Sequence, residues 1–234
     1  MRARPMPSCG APAAASRRRC LEASLLFTAG LAIGTARRAR AQAYPVTIAA
    51  MRTAQESEMA VYYRYTEYAR KAQQEGYRGI AYLFVAFASA EMIHATNFGR
   101  ILARLNAEVL PIAKPAVTVG STRDNLLTAA AMEAQSVDEQ YPKLLERIQA
   151  EGFEDALNAV RFAWGTERQH RDKIRQIQRW SPTFFDQVAK QIDKKTGQYF
   201  VCQICGNTLN QVPEGTCPVC SNASRHFRLI DPPA

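Results

Sequence analysis

Histidine is scarce in this chain of 234 residues: there are three, and two of them, His94 and His170, recur in one local pattern. Cysteine is missing between Cys20 and Cys202, and four of the six fall within residues 202–220. Thiol chemistry is therefore confined to a leader and a short tail. Acids are nearly absent from residues 1–43, where Glu22 stands alone against Arg2, Arg4, Arg17, Arg18, Arg19, Arg37, Arg38 and Arg40, a balance of +7. The whole chain carries +9, so the remainder carries 9 − 7 = +2. A near-neutral body with a basic leader needs no polyanion, and no nucleic-acid partner is expected. The leader's apolar run, Leu25–Ile33, falls short of the ~20 residues that span a bilayer.

What the leader does contain is a basic stretch, that apolar run, and small-x-small sites at Ala39-Arg40-Ala41 and Ala41-Gln42-Ala43. This is the layout of a secretory signal over residues 1–43, with adjacent arginines like those of a twin-arginine signal. It predicts an exported, periplasmic protein cleaved near Ala43; an uncleaved leader anchored in the membrane is the alternative.

Residues 44–181 read as amphipathic helices over about 46–74, 78–105, 122–150 and 154–180, with apolar residues at helical spacing. Glu75-Gly76-Tyr77 and Glu151-Gly152-Phe153 place a glycine at two helix ends. A longer connection, about 106–121, contains Pro111, Pro115 and Gly120. Two tight hairpins joined by one long crossover make an all-α, ferritin-like four-helix bundle. Adding 76 to the position number maps Tyr65 onto Tyr141, Gly76 onto Gly152, Glu91 onto Glu167 and His94 onto His170. One hairpin duplicates the other, and a pseudo-two-fold axis can build a two-metal site.

Glu91-x-x-His94 and Glu167-x-x-His170 each put a carboxylate and an imidazole on one helix face. Glu58 precedes Glu91, and Glu133 precedes Glu167, by nearly equal separations: 91 − 58 = 33 and 167 − 133 = 34. A tight hairpin brings each level with its partner. One Glu from each of two helices plus Glu-x-x-His from the other two is the ligand set of di-iron carboxylate proteins. Four carboxylates neutralise and bridge two cations, and imidazoles complete a mixed O/N set suited to iron. The repeat slips once: Glu58 maps onto Ala134, not Glu133. A one-residue bulge in the third helix would restore the facing.

Residues 182–197 read as a linker with a helical turn or two, and residues 198–234 as a separate module. So short a segment needs a staple to fold. Cys202-x-x-Cys205 and Cys217-x-x-Cys220 form two knuckles for tetrahedral S4 ligation of iron or zinc; the helical bundle beside them favours iron.

Taken together, the chain resembles the rubrerythrins. The resemblance is carried by Glu58 followed by Arg64-Tyr65-Thr66, Lys71-Ala72, both glycine turns, both Glu-x-x-His motifs, Tyr141-Pro142, and Cys-x-x-Cys-Gly…Cys-Pro-x-Cys before His226-Phe227. It implies a bundle whose di-iron centre is held by Glu58, Glu91, His94, Glu133, Glu167 and His170. Tyr65 and Tyr141 would donate hydrogen bonds to ligating carboxylates. A rubredoxin-like Fe(Cys)4 domain would be held by Cys202, Cys205, Cys217 and Cys220, with zinc as the alternative metal. The implied activity is peroxidase: hydrogen peroxide or dioxygen as substrate, electrons from a donor protein (NAD(P)H- or rubredoxin-linked) relayed through the cysteine-ligated iron. The implied assembly is a homo-oligomer in which a partner subunit's tail reaches the bundle. One departure stands out: Ser136 occupies the place of a further carboxylate usual in the family, with Asp138 or water as substitutes. Its loss favours a second reading, a ferroxidase that sequesters iron. A third is a zinc-ribbon interaction module on a metal-free bundle.

Overall fold

The computed structural model describes residues 43–179, 185–195 and 197–233; all but the last residue of the expected signal lies outside them. Helix α1 (Pro45–Gln74) turns into α2 (Arg78–Arg104) at Gly76, whose φ of +84° costs glycine little. The Tyr77 amide donates back to the Ala72 carbonyl at 2.9 Å and closes the helix end. The second hairpin runs from α3 (Thr122–Gln135) through a π-helical segment, Ser136–Gln140, into α4 (Tyr141–Gln149) and then α5 (Glu154–Arg179). Gly152, at φ +63°, makes its turn.

The acid before each glycine reaches across to the other hairpin. Glu75 accepts from the Thr122 backbone N–H at 2.8 Å, and Glu151 from those of Val46 and Thr47 at 2.9 and 2.7 Å. Each carboxylate covers unpaired N–H groups at the start of the other hairpin's first helix, where negative charge is favoured. Positions 46 and 122 also differ by 76, so the caps repeat together with the turns.

The π segment is the expected bulge. Glu58 to Tyr65 is seven residues, but Glu133 to Tyr141 is eight. The wider turn at Ser136–Gln140 absorbs the surplus residue, and Glu133 and Tyr141 are both buried. The Val137 carbonyl within it accepts from Trp164 Nε1 at 2.9 Å.

The stretch expected as a linker contains a three-turn helix, α6 (Phe185–Lys195). Phe185, Ala189 and Ile192 fall at i, i+4 and i+7 and pack into the bundle core, while Tyr77 Oη donates to Asp186 Oδ1 at 2.6 Å. This segment is folded onto the bundle, because its apolar spacing gives it a face to bury. The tail forms a small antiparallel sheet of β1 (Tyr199–Cys202), β2 (Thr208–Leu209) and β3 (Phe227–Ile230), ordered β2-β1-β3.

By length and composition α2 could cross a bilayer, but most of it is buried inside the bundle. The core divides into two apolar clusters, one around Tyr65, Phe84, Phe87 and Ile174, the other around Met51, Phe98, Leu102, Ile148 and Val160. Along α1, α2, the third helix and α5, the residues Glu58, Glu91, Glu133 and Glu167 each fall where one cluster gives way to the other. The polar residues therefore share one level of the bundle.

Trp164→Phe removes the donor to the Val137 carbonyl. Denaturant unfolding should show a loss of about 1–2 kcal/mol; an unchanged midpoint would show that the π segment does not depend on the indole.

Candidate metal centre

Glu58, Glu91, His94, Glu133, Glu167 and His170, named from sequence, converge at that level, and the most exposed of them is Glu58 at 8%. They form two four-donor sets, Glu58-Glu91-His94-Glu167 and Glu91-Glu133-Glu167-His170, whose donor atoms within each set lie inside 4.8 Å. Glu91 and Glu167 belong to both. Glu91 offers one oxygen to His94 Nδ1 at 3.0 Å and the other to His170 Nδ1 at 3.2 Å; Glu167 does the same at 2.9 and 3.4 Å. Each shared carboxylate thus faces both sets, and Glu58 and Glu133 close the two ends.

Several of these short approaches lack hydrogen-bond alignment: Glu91 Oε1 beside His170, Glu167 Oε1 beside His94, and both ring nitrogens of His170 are buried without a hydrogen-bond partner. Atoms that point at a common centre, and not at each other, are arranged as ligands are. The electrostatics agree. The two sets contain five carboxylate pairs, and each such pair of like charges costs roughly 3–4 kcal/mol at an effective dielectric of about 20. The sum exceeds the ~5–15 kcal/mol that stabilises a domain. Four ionised carboxylates can share this level only with cations between them, so the donor set fits a pair of metal ions.

Without metal, protons carry that burden. Burial, opposed by His94 and reinforced by the charges of Glu167 and Glu91, pushes Glu58 up to about 7. Burial and the Glu167 charge hold Glu133 well above the usual carboxylate range. Burial works against a charge on either histidine, but the carboxylates outweigh it: Glu167, Glu58 and Glu91 raise His94 well up, and Glu167 and Glu91 raise His170 to about 9. Burial also opposes a charge on Glu167, yet the two histidines hold it well below its ordinary range.

Tyr65 and Tyr141 cross between hairpins. Tyr65 Oη donates to Glu133, and Tyr141 Oη donates to Glu58 Oε1 at 2.7 Å. Burial and the neighbouring carboxylates keep both phenols protonated to high pH, so both remain donors. Phe87 stacks on His170 with centroids 3.9 Å apart. A cavity of about 10 Å³, near the space of one water, reaches Glu58, Glu91, Glu133 and Glu167 past Ser57, Val61, Met132 and Ser136. Ser136 Oγ bonds to Gln140, and Asp138 is ion-paired with Arg171 at 3.0 Å. Asp138 therefore does not replace the missing carboxylate.

Cys202, Cys205, Cys217 and Cys220 are buried together. Cys202 Sγ lies 3.8 Å from Cys220 Sγ, and Cys205 Sγ 3.6 Å from Cys217 Sγ. A tetrahedron with metal–sulfur bonds of about 2.3 Å has edges of about 3.8 Å, so the four sulfurs fit one ion. The two knuckles turn alike: Gly206 N–H donates to the Cys202 carbonyl and Ser221 N–H to the Cys217 carbonyl, with Gly206 and Ser221 both at positive φ.

In the single chain described, the four-cysteine module lies against the bundle. His94 turns Nδ1 towards the carboxylates and Nε2 to the Cys205 carbonyl, 3.0 Å away. Thr166 Oγ1 donates to the same carbonyl at 2.8 Å, and Asn97 Nδ2 to that of Ile204 at 2.8 Å. A Cβ on Gly206 would meet His94 Nε2 at 2.7 Å and the Ala90 carbonyl at 3.2 Å. The glycine after the first Cys-x-x-Cys is the sequence signal for this contact; nothing in the sequence marks Asn97 or Thr166.

The family profile described as Rubrerythrin matches residues 50–178. The "Rubrerythrin" of Porphyromonas gingivalis is 30% identical over 166 residues, 70% of this chain and 80% of its own. The "Nigerythrin" of Nitratidesulfovibrio vulgaris is 30% identical over 178 residues, 74% and 81% of the two chains. Among solved structures, nigerythrin in its mixed-valence state matches with a TM-score of 0.65 and 25% identity, covering 79% of this chain and 86% of that one.

The raised groups set a pH dependence for the metal-free chain. Between the ordinary glutamate value of 4.5 and about 7, folded Glu58 holds a proton that the unfolded chain has lost; His170 does so between 6.5 and about 9. Folded protein binding more protons means stability that falls as pH rises. Thermal unfolding of the metal-free chain should show a melting temperature that drops from pH 5 to 9, and metal loading should restore it. A flat profile would mean that the carboxylates do not repel one another at this site.

Proposed function

The chain belongs to the rubrerythrin family, and from that premise we propose that it reduces hydrogen peroxide to water, with electrons relayed through its cysteine-ligated iron. In this reading Glu58, Glu91, His94, Glu133, Glu167 and His170 would hold two irons, with Glu91 and Glu167 common to both four-donor sets, and the four cysteines would hold a third. A ferrous pair bound there supplies the two electrons that, with two protons, convert one hydrogen peroxide into two waters. The residues provide the setting. Tyr65 and Tyr141 fix the end carboxylates, the narrow cavity beside Ser57, Met132 and Ser136 opens the carboxylates to nothing much larger than water, and apolar clusters on both sides exclude bulk water.

The observation that carries the reading is the double contact of His94, one nitrogen in the carboxylate cluster and the other on the Cys205 carbonyl. An imidazole so placed is a direct path between an electron carrier and a two-electron site, which iron storage does not require. A ferroxidase that sequesters iron is the second reading, supported by Ser136, whose hydroxyl engages Gln140 and adds no charge to the site. A separate electron-donor protein and a homo-oligomer belong to the first proposal. So does export, supported by the arginine-rich leader and its small-x-small sites, for which a mature chain beginning near Tyr44 is the expected result of N-terminal sequencing.

Stopped-flow mixing of the reduced, iron-loaded protein with hydrogen peroxide should oxidise it much faster than dioxygen does. Equal rates, together with retention of many irons per chain during aerobic Fe(II) loading, would establish the storage reading instead.

A further inference from the structure

Met132 lines the cavity that reaches the four carboxylates, and it carries the only sulfur among the described residues there. Of the lining residues Ser57 is exposed, Val61, Met132 and Ser136 are half-buried, and the others are buried. The thioether therefore stands in the outer part of the passage, with Glu58, Glu91, Glu133 and Glu167 at its inner end. A molecule that enters by this route passes the Met132 sulfur. Met59 and Met92 are also half-buried, each next in sequence to one of those glutamates, but neither lines the cavity.

The sulfur has a cationic partner. Arg64 Nη1, on α1, donates to Met132 Sδ at 2.8 Å, one residue before the bond from Tyr65 to Glu133. Framework contacts in this bundle come in repeat pairs, as Tyr65 does with Tyr141 and Glu75 with Glu151. The Arg64 contact has no such mate, because the position 76 beyond it is Gln140, which accepts from Ser136 instead. Nor does Arg64 form an ion pair among the described residues. A thioether is a weak acceptor for a guanidinium. Oxidation would turn it into a polar sulfoxide, whose oxygen takes a charge-assisted hydrogen bond. The guanidinium is thus placed to hold the oxidised form more firmly than the reduced one.

We propose that Met132 is a modification site, oxidised to its sulfoxide by hydrogen peroxide in the cavity and then clasped by Arg64, so that the passage to the carboxylates narrows. The proposal rests on the peroxidase reading for its purpose: peroxide that the bundle has no electrons to reduce closes its own route. In the reaction the Met132 sulfur attacks one peroxide oxygen, forming an S–O bond as the O–O bond breaks. Sulfur loses two electrons, peroxide gains them, and the other oxygen leaves with both protons as water. Arg64, a donor beside the sulfur, steadies the charge on that departing oxygen. The cavity, of about 10 Å³, has room for roughly one water, so a single added oxygen is enough to obstruct it.

Two measurements test it. In the zinc-loaded full chain, whose metal has no electrons to give, limiting peroxide followed by peptide mapping should add oxygen to Met132 about fivefold faster than to Met59 or Met92. Next, the iron-loaded chain in its oxidised form is treated with peroxide, freed of it, reduced, and mixed with peroxide again. Oxidation of the bundle irons should then be slowed by roughly tenfold once Met132 is fully converted. Met132→Leu, treated alike, should keep the rate it showed before treatment, and Arg64→Ala should be slowed by less than about twofold. Oxygen gained at Met132 no faster than at Met59 and Met92 would overturn the proposal. So would an unchanged rate in chains whose Met132 is fully oxidised, or slowing in Arg64→Ala equal to that of the wild type. If peroxide fails to oxidise even the untreated bundle, the peroxidase reading falls, and the map of the zinc-loaded chain still decides whether Met132 is the residue that peroxide modifies.

Discussion

Four carboxylates buried at one level of a helical bundle repel one another by more than the fold can bear, and much of the structure answers that repulsion. Protons on Glu58 and Glu133 relieve it in the metal-free state, as do positive charges on two histidines. Cations between the sets relieve it more completely, because each shared carboxylate then has a positive neighbour on either side. The duplicated hairpins, the crossed tyrosines and the π segment all serve to hold those side chains at that level. Apolar clusters above and below raise the cost of leaving any charge unmatched.

The second constraint is contact between this site and the sulfur-ligated module. His94 cannot point both nitrogens usefully unless the Cys205 carbonyl comes within hydrogen-bonding distance, and only a residue without Cβ at position 206 allows the knuckle that close. Tyr82 holds the module's other flank: its Oη donates to the Ile230 carbonyl and accepts from the Tyr199 N–H. The module is seated along the length of α2, which also carries Glu91 and His94.

Much of this was legible in the sequence because duplication leaves a record. Matching each position with the one numbered 76 higher exposed the paired motifs and the turns, and the one-residue slip at Glu133 implied a bulge, which the structure shows as Ser136–Gln140. Other features left no such record. Helix α6 read as a linker because its apolar face is three residues wide and has meaning only against α2. Gln169, Thr166 and Asn97 look like ordinary solvated helix residues until the module is laid on them, since their partners are backbone carbonyls and amides that no side-chain pattern encodes. The salt bridge that removes Asp138 from the site depends on Arg171, which lies on α5 and comes beside it only in the folded bundle.

The claim beneath all of this is that Glu91 and Glu167 face two metal ions at once. Anomalous diffraction at the iron edge, on crystals of the anaerobically purified protein, tests it most directly. Two peaks are expected flanking the Glu91 and Glu167 carboxylates, one towards Glu58 and His94 and the other towards Glu133 and His170, with a third among the four cysteine sulfurs. A bundle with a single peak, or with none, in protein whose four-cysteine site is filled would contradict it.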